Sequence, residues 1–223
     1  MNFENKIIQG NSSSVLAGMP EGVIDLAITD PPYGVRYRDR TGRTVRNDDQ
    51  LSSVLPVFKE LYRCMKPDSI CISFYGWNAI DQFMQAWKDV GFRVGGHMVW
   101  TKDYSSRQRD LKYHHEQAYV LLKGNPARPA EPLTDVQPWT WTGNKAHPTE
   151  KSVKIIQPLV RAFSKPGDLV CDPFSGSGST AVAAALSGRR YLGVELEEGY
   201  CTHARNRLAG VQRYLGNTDK LAA

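Results

Sequence analysis

Cysteine is scarce and scattered: Cys64, Cys71, Cys171 and Cys201 are the four in 223 residues, and no two form a Cys-x-x-Cys pair. That spacing argues against a thiolate zinc site and against a disulfide framework, and three of the four stand in apolar surroundings typical of buried structural thiols. No apolar run approaches the length of a membrane span, and residues 1–10 lack the architecture of a secretory signal. A soluble, cytoplasmic protein with no membrane partner is therefore expected. Low-complexity tracts and internal repeats are also missing. With 41% hydrophobic residues, residues 1–223 are expected to form a single domain around a substantial core. The formal net charge of +5 allows a polyanionic partner without requiring one.

The most informative stretch is Asp172-Pro173-Phe174-Ser175-Gly176-Ser177-Gly178-Ser179-Thr180. An apolar run precedes it and good helix formers fill 181–186, so it reads as strand, glycine turn and helix. The glycines let the backbone pass close to a ligand, and the helix start behind them presents unpaired N–H groups. A second strand over 189–195 ends in Glu195, roughly twenty residues after the glycines, where dinucleotide-binding units place an acid on the ribose hydroxyls. The glycine spacing differs from that of nicotinamide enzymes, and the turn begins with a carboxylate that would repel a pyrophosphate. A nucleoside cofactor with a positive end fits better.

Further strands are expected over 6–9, 24–29, 69–74, 92–100 and 118–122, and helices near 56–65, 79–90 and 153–163. Residues 12–14 are three serines able to cap a helix after the turn at Gly10-Asn11. The strand over 24–29 delivers Asp30-Pro31-Pro32-Tyr33 at its carboxyl end, where ligands of open α/β sheets collect. Residues 34–50 form a long polar loop with Arg36, Arg38, Arg40, Arg43 and Arg46, read as a flap that touches phosphates. Residues 123–143, with Trp139 and Trp141, are either a wrap over the sheet or a surface on which a base stacks. His114-His115-Glu116 superficially offers the His-x-Glu of a zinc deaminase, but the required Pro-Cys-x-x-Cys is missing. No metal is expected.

The turn 172–180, Glu195 and Asp30-Pro31-Pro32-Tyr33 together resemble the S-adenosylmethionine-dependent DNA amino-methyltransferases. His147-Pro148-Thr149-Glu150-Lys151 resembles that family's histidine-proline motif, and the order of the motifs resembles its β group. The resemblance spans residues 7–208. It implies a Rossmann-like, mostly parallel, seven-stranded sheet with helices on both faces and a circularly permuted motif order. Its catalytic residues would be Asp30, Pro31, Pro32 and Tyr33. Asp172, Phe174, Gly176, Gly178, Ser179, Thr180 and Glu195 would bind S-adenosylmethionine, with Asn11 where the family commonly has an acid, and with His147, Thr149 and Lys151. DNA, double-stranded, would be the substrate and adenine N6 the target, since the family links Asp at the first tetrad position to adenine and Ser to cytosine N4. Cytosine-N4 methylation of DNA is the nearest alternative, followed by an RNA amino-methyltransferase and a non-catalytic nucleic-acid-binding relative. Cytosine C5 chemistry needs a nucleophile from a Pro-Cys pair, and no cysteine here follows a proline. Arg36, Arg38, Arg43, Lys102, Arg107, Arg109 and Lys112 are the candidate DNA-binding residues. The interval 101–146 is a reduced target-recognition region, so low selectivity or a short site is expected, as part of a restriction-modification pair or alone. Oligomers of the family allow a homodimer.

Overall fold

The computed structural model describes residues 2–35, 42, 48, 50–105, 110–140 and 150–221, with side chains to residue 217. Its strands are β1 (Lys6–Gln9), β2 (Ile24–Thr29), β3 (Met65–Phe74), β4 (Arg93–Thr101), β5 (His115–Lys123), β6 (Val136–Pro138), β7 (Leu169–Asp172) and β8 (Arg190–Glu195). The helices are α1 (Ser12–Ala17), α2 (Val57–Cys64), α3 (Ile80–Asp89), α4 (Val153–Phe163), α5 (Ser179–Leu186) and α6 (Glu198–Leu221).

The strands form one sheet in the order β1-β8-β7-β2-β3-β5-β4-β6. It has eight strands where seven were expected. The extra one is the three-residue β6, which pairs parallel to β4 from Val99 to Thr101. It lies inside the Pro-rich stretch, where no alternation announces a strand. Pairing is parallel except at β3–β5 and β5–β4.

Period-two alternation splits β2 between two cores. Leu26 and Ile28 face a cluster with Ile156, Leu159, Val160, Ala183, Ala204 and Leu208, which belong to α4, α5 and α6. Ala27 faces the opposite cluster, with Leu16, Phe58, Leu61, Phe83 and Trp87 of α1, α2 and α3. Both sheet faces are covered, as a parallel sheet requires. Asp25, the acid in β2, pairs with Lys66 and accepts from the Leu169 N–H, so it ties three strands together.

Two boundaries differ from expectation. Asn11, rather than a serine, caps α1 by accepting from the Ser14 N–H at 3.1 Å. Helix α2 stops at Cys64, ahead of Pro67, and β3 begins at Met65 with a register shift against β2. Asp68 takes a positive φ in that irregular start. All four cysteines are free and buried.

β2 and β7 lie side by side at the middle of the sheet. From β7 the chain moves outward through α5 to β8, and from β2 it moves the other way to β3. The carboxyl ends of β2 and β7 therefore flank the topological switch point, the place where open α/β sheets bind their ligands.

Candidate functional site

Asp30 follows the last residue of β2. Its Oδ1 accepts the Tyr33 hydroxyl at 2.6 Å, and its Oδ2 accepts the Lys151 ammonium at 2.6 Å. Lys151 is buried and also stands 4.9 Å from the Phe74 ring centroid, 5.8 Å from that of Tyr33 and 5.9 Å from that of Trp139. Such an aromatic surround stabilises an ammonium that has lost much of its water. Desolvation, then the negative charges of Asp30, Glu116 and Asp48, hold the Tyr33 hydroxyl well above its ordinary pKa. Tyr33 therefore keeps its proton at neutral pH and donates a hydrogen bond to Asp30.

The backbone after the two prolines is pinned by Asp48. Its Oδ1 accepts from the N–H groups of Tyr33 at 2.7 Å and Gly34 at 2.9 Å, and Gly34 turns the chain with φ 75°. Asp48 lies within the polar loop read over residues 34–50, and sequence reasoning did not assign it this role. An acid so far from its partners in a polar loop gives no local signal.

At the end of β7, Asp172 is buried and hydrogen-bonded within its own turn. One oxygen accepts the Phe174 N–H at 3.0 Å and the other the Thr180 hydroxyl at 2.8 Å. Burial pushes its carboxyl up to about 7, against those two donors and with help from the charges of Asp30 and Glu195. Glu195, at the end of β8, accepts from the Gly176 N–H at 2.9 Å and the Glu197 N–H at 2.8 Å. Burial raises it too, opposed by those N–H groups.

The glycines are required by different constraints. Gly178, at the start of α5, has φ 82°, and a Cβ there would lie 2.7 Å from the Cβ of Ala204. Gly193 in β8 leaves room for Ser175, whose Oγ would be 2.4 Å from an added Cβ. Ser179 and Thr180 are buried, and Ser179 accepts from Arg207 at 3.2 Å.

Arg207 was not foreseen as part of the site. From α6 it donates to the Ser177 carbonyl at 2.7 Å and pairs with Glu150 at 3.1 Å, linking the segment before Lys151 to the glycine turn. Ser12 reaches the same turn by donating to the Pro173 carbonyl. Neither contact has a sequence signal, since each joins residues remote along the chain.

The structure brings together Asp30, Pro31, Pro32, Tyr33, Lys151 and the turn 172–180, with Glu195 and Asn11 on flanking strand ends. Lys151, which the resemblance put among the cofactor-binding residues, stands against Asp30. Lys102 is a correction: its ammonium is buried, paired with Glu116 and set over the rings of Tyr104 and Trp139, so it does not face phosphate. The β4–β5 pairing places it beside the sheet rather than on an open loop. Lys112 is exposed. Arg36, Arg38, Arg43, Arg107, Arg109, His147 and Thr149 lie outside the described residues, as do the remaining flap arginines and Trp141.

The donor set can be tested against a nucleoside cofactor. Carboxylates at three strand ends suit hydroxyls and a cation, and would repel a pyrophosphate. Ser175 adds a buried hydroxyl without a hydrogen-bond partner inside the turn. Among the described residues no cluster of His, Cys, Asp and Glu is placed to hold a metal ion. Nor, among the described residues, is any helix long and apolar enough to cross a membrane.

A doubly wound sheet with acids around a glycine turn at its switch point defines a Rossmann-like α/β protein built for a cationic nucleoside ligand. Residues 24–206 match the family model described as DNA methylase, so the chain belongs to the DNA methylase family. It is 50% identical over 209 residues to the "Putative methylase YubD" of Escherichia coli (strain K12), covering 94% of this chain and 92% of that one. Two solved structures share the fold. The M1.HpyAVI–SAM complex superposes with TM-score 0.72 at 20% identity, over 91% of this chain and 98% of that one. PvuII DNA methyltransferase, cytosine-N4-specific, gives 0.74 at 20% identity, over 90% and 85%.

Proposed function

We propose that this chain transfers the methyl group of S-adenosylmethionine to the N6 amine of an adenine flipped out of double-stranded DNA. The observation that carries the reading is Asp30, fixed at the switch point by Tyr33 and Lys151 beside the acidic glycine turn.

When bound, S-adenosylmethionine supplies an electrophilic methyl on a sulfonium. Asp172, Glu195, Asn11 and the N–H groups of the turn 172–180 would hold it. The exocyclic amine of adenine is a poor nucleophile because its lone pair is delocalised into the ring. The Asp30 carboxylate and the Pro31 carbonyl accept its two hydrogens and stay in place as positive charge develops on nitrogen. A carboxylate has about four acceptor positions, so Asp30 takes the amine while keeping Tyr33 and Lys151. Pro31 and Pro32 hold the geometry at little entropic cost on folding. The Tyr33 ring stacks on the flipped base and returns part of the roughly few kcal/mol of unstacking.

The interval 101–146 acts in this reading as a reduced target-recognition region. Part of it builds β5 and β6, which leaves fewer side chains for base edges. Labelled methyl transfer to DNA and to RNA, followed by nucleoside analysis, tests the proposal. N6-methyladenine in DNA is expected. N4-methylcytosine, or label in RNA alone, would overturn the assigned target.

A further inference from the structure

Gly76 follows β3 and lies directly beneath Tyr33: a Cβ on it would sit 2.8 Å from the Tyr33 Cβ. The next residue, Trp77, is 56% exposed. Its indole stacks on the ring of Tyr113, with centroids 5.5 Å apart and planes 15° from parallel. Tyr113 comes from the segment that leads into β5, where Leu111 is 68% exposed and Lys112 is exposed as well. One exposed hydrophobe is ordinary on any protein. Here two aromatic rings from separate segments are held parallel, Trp77 mostly exposed and Tyr113 half-buried, and Trp77 directly follows the glycine that packs on the ring expected to stack on the target base.

We infer that the Trp77–Tyr113 stack is a platform for a nucleotide flanking the target base in the methylated strand. The inference rests on the DNA methylation reading above. Flipping a base breaks its stacking with both neighbours, and an aromatic face beside the pocket replaces one of those contacts without regard to sequence. Lys112, adjoining Tyr113, and the net charge of +5 complement a polyanion rather than a second copy of this chain.

Fluorescence anisotropy with a short duplex carrying one unpaired adenine tests this, using wild type, Trp77→Ala and Trp77→Phe over a salt series. Trp77→Ala should bind roughly 5- to 100-fold more weakly, and Trp77→Phe within about threefold of wild type, because a ring remains. The log–log salt slope should stay unchanged in both, since no phosphate contact is removed. Trp77→Phe keeps the experiment interpretable should the alanine variant fold poorly: an unaltered wild-type acrylamide quenching of Trp77 fluorescence on adding duplex, taken as the difference from Trp77→Phe, would overturn the platform. So would equal affinity of Trp77→Ala and wild type, or a loss explained by a change in oligomeric state. A wild-type protein that fails to bind the duplex would instead sink the DNA reading itself.

Discussion

Asp172 offers a test of the cofactor end of the site that needs no turnover. Its carboxyl is raised from an ordinary 3.8 to about 7, chiefly by burial. Because the folded-state value lies above the unfolded one, the folded protein holds the extra proton in between. Stability should therefore fall as pH rises from about 4 to about 7, then level off. One pKa unit corresponds to about 1.4 kcal/mol, so integrating this single group between about pH 5 and pH 8 gives a loss of about 2 to 3 kcal/mol. Asp172→Asn removes the charge, keeps an oxygen for the Phe174 N–H, and lets the Thr180 hydroxyl turn to accept from the new amide. Urea unfolding of both proteins at the two pH values isolates the effect, since the other titrating groups are common and cancel. The variant should gain about 2 to 3 kcal/mol on wild type as pH rises. Saturating S-adenosylmethionine should shrink that gain, because a cation beside Asp172 favours its ionised form. Parallel stability profiles for the two proteins would refute the burial argument, and a gain unmoved by the cofactor would place the sulfonium elsewhere.

Asp30→Ala should lower turnover at least about 100-fold, the scale of losing a placed acceptor, while calorimetry finds cofactor affinity little changed. Activity within a few-fold of wild type would remove Asp30 from the chemistry. Glu195→Ala should weaken cofactor binding by about 1.5 to 3 kcal/mol through loss of charged hydrogen bonds, read by the same calorimetry. Unchanged affinity would leave Glu195 only its bonds to Gly176 and Glu197. Gly178→Ala combines a left-handed backbone with a Cβ 2.7 Å from Ala204, so denaturant unfolding should show a loss of about 2 kcal/mol or more. A neutral result would mean that α6 yields without cost.

The sequence by itself determined what is local. The turn 172–180 is written in glycines at positions that need them, Asp30-Pro31-Pro32-Tyr33 is fixed by two prolines at the end of an apolar strand, and Glu195 closes the next strand. Those residues also carry the family resemblance, because chemistry of this kind needs set side chains at set spacings on consecutive elements. Tertiary structure decided how remote segments meet. Lys151 pairs with Asp30 across 121 positions of sequence, and Arg207 joins Ser177 across 30. Lys102, which reads as a surface cation in a polar excursion, is buried against Glu116. Trp77 meets Tyr113 only because β3 and β5 are neighbours. A partner chosen by packing leaves no periodic or compositional trace: the burial that makes each of these contacts strong is supplied by the whole sheet and its helices, not by the residues that flank it.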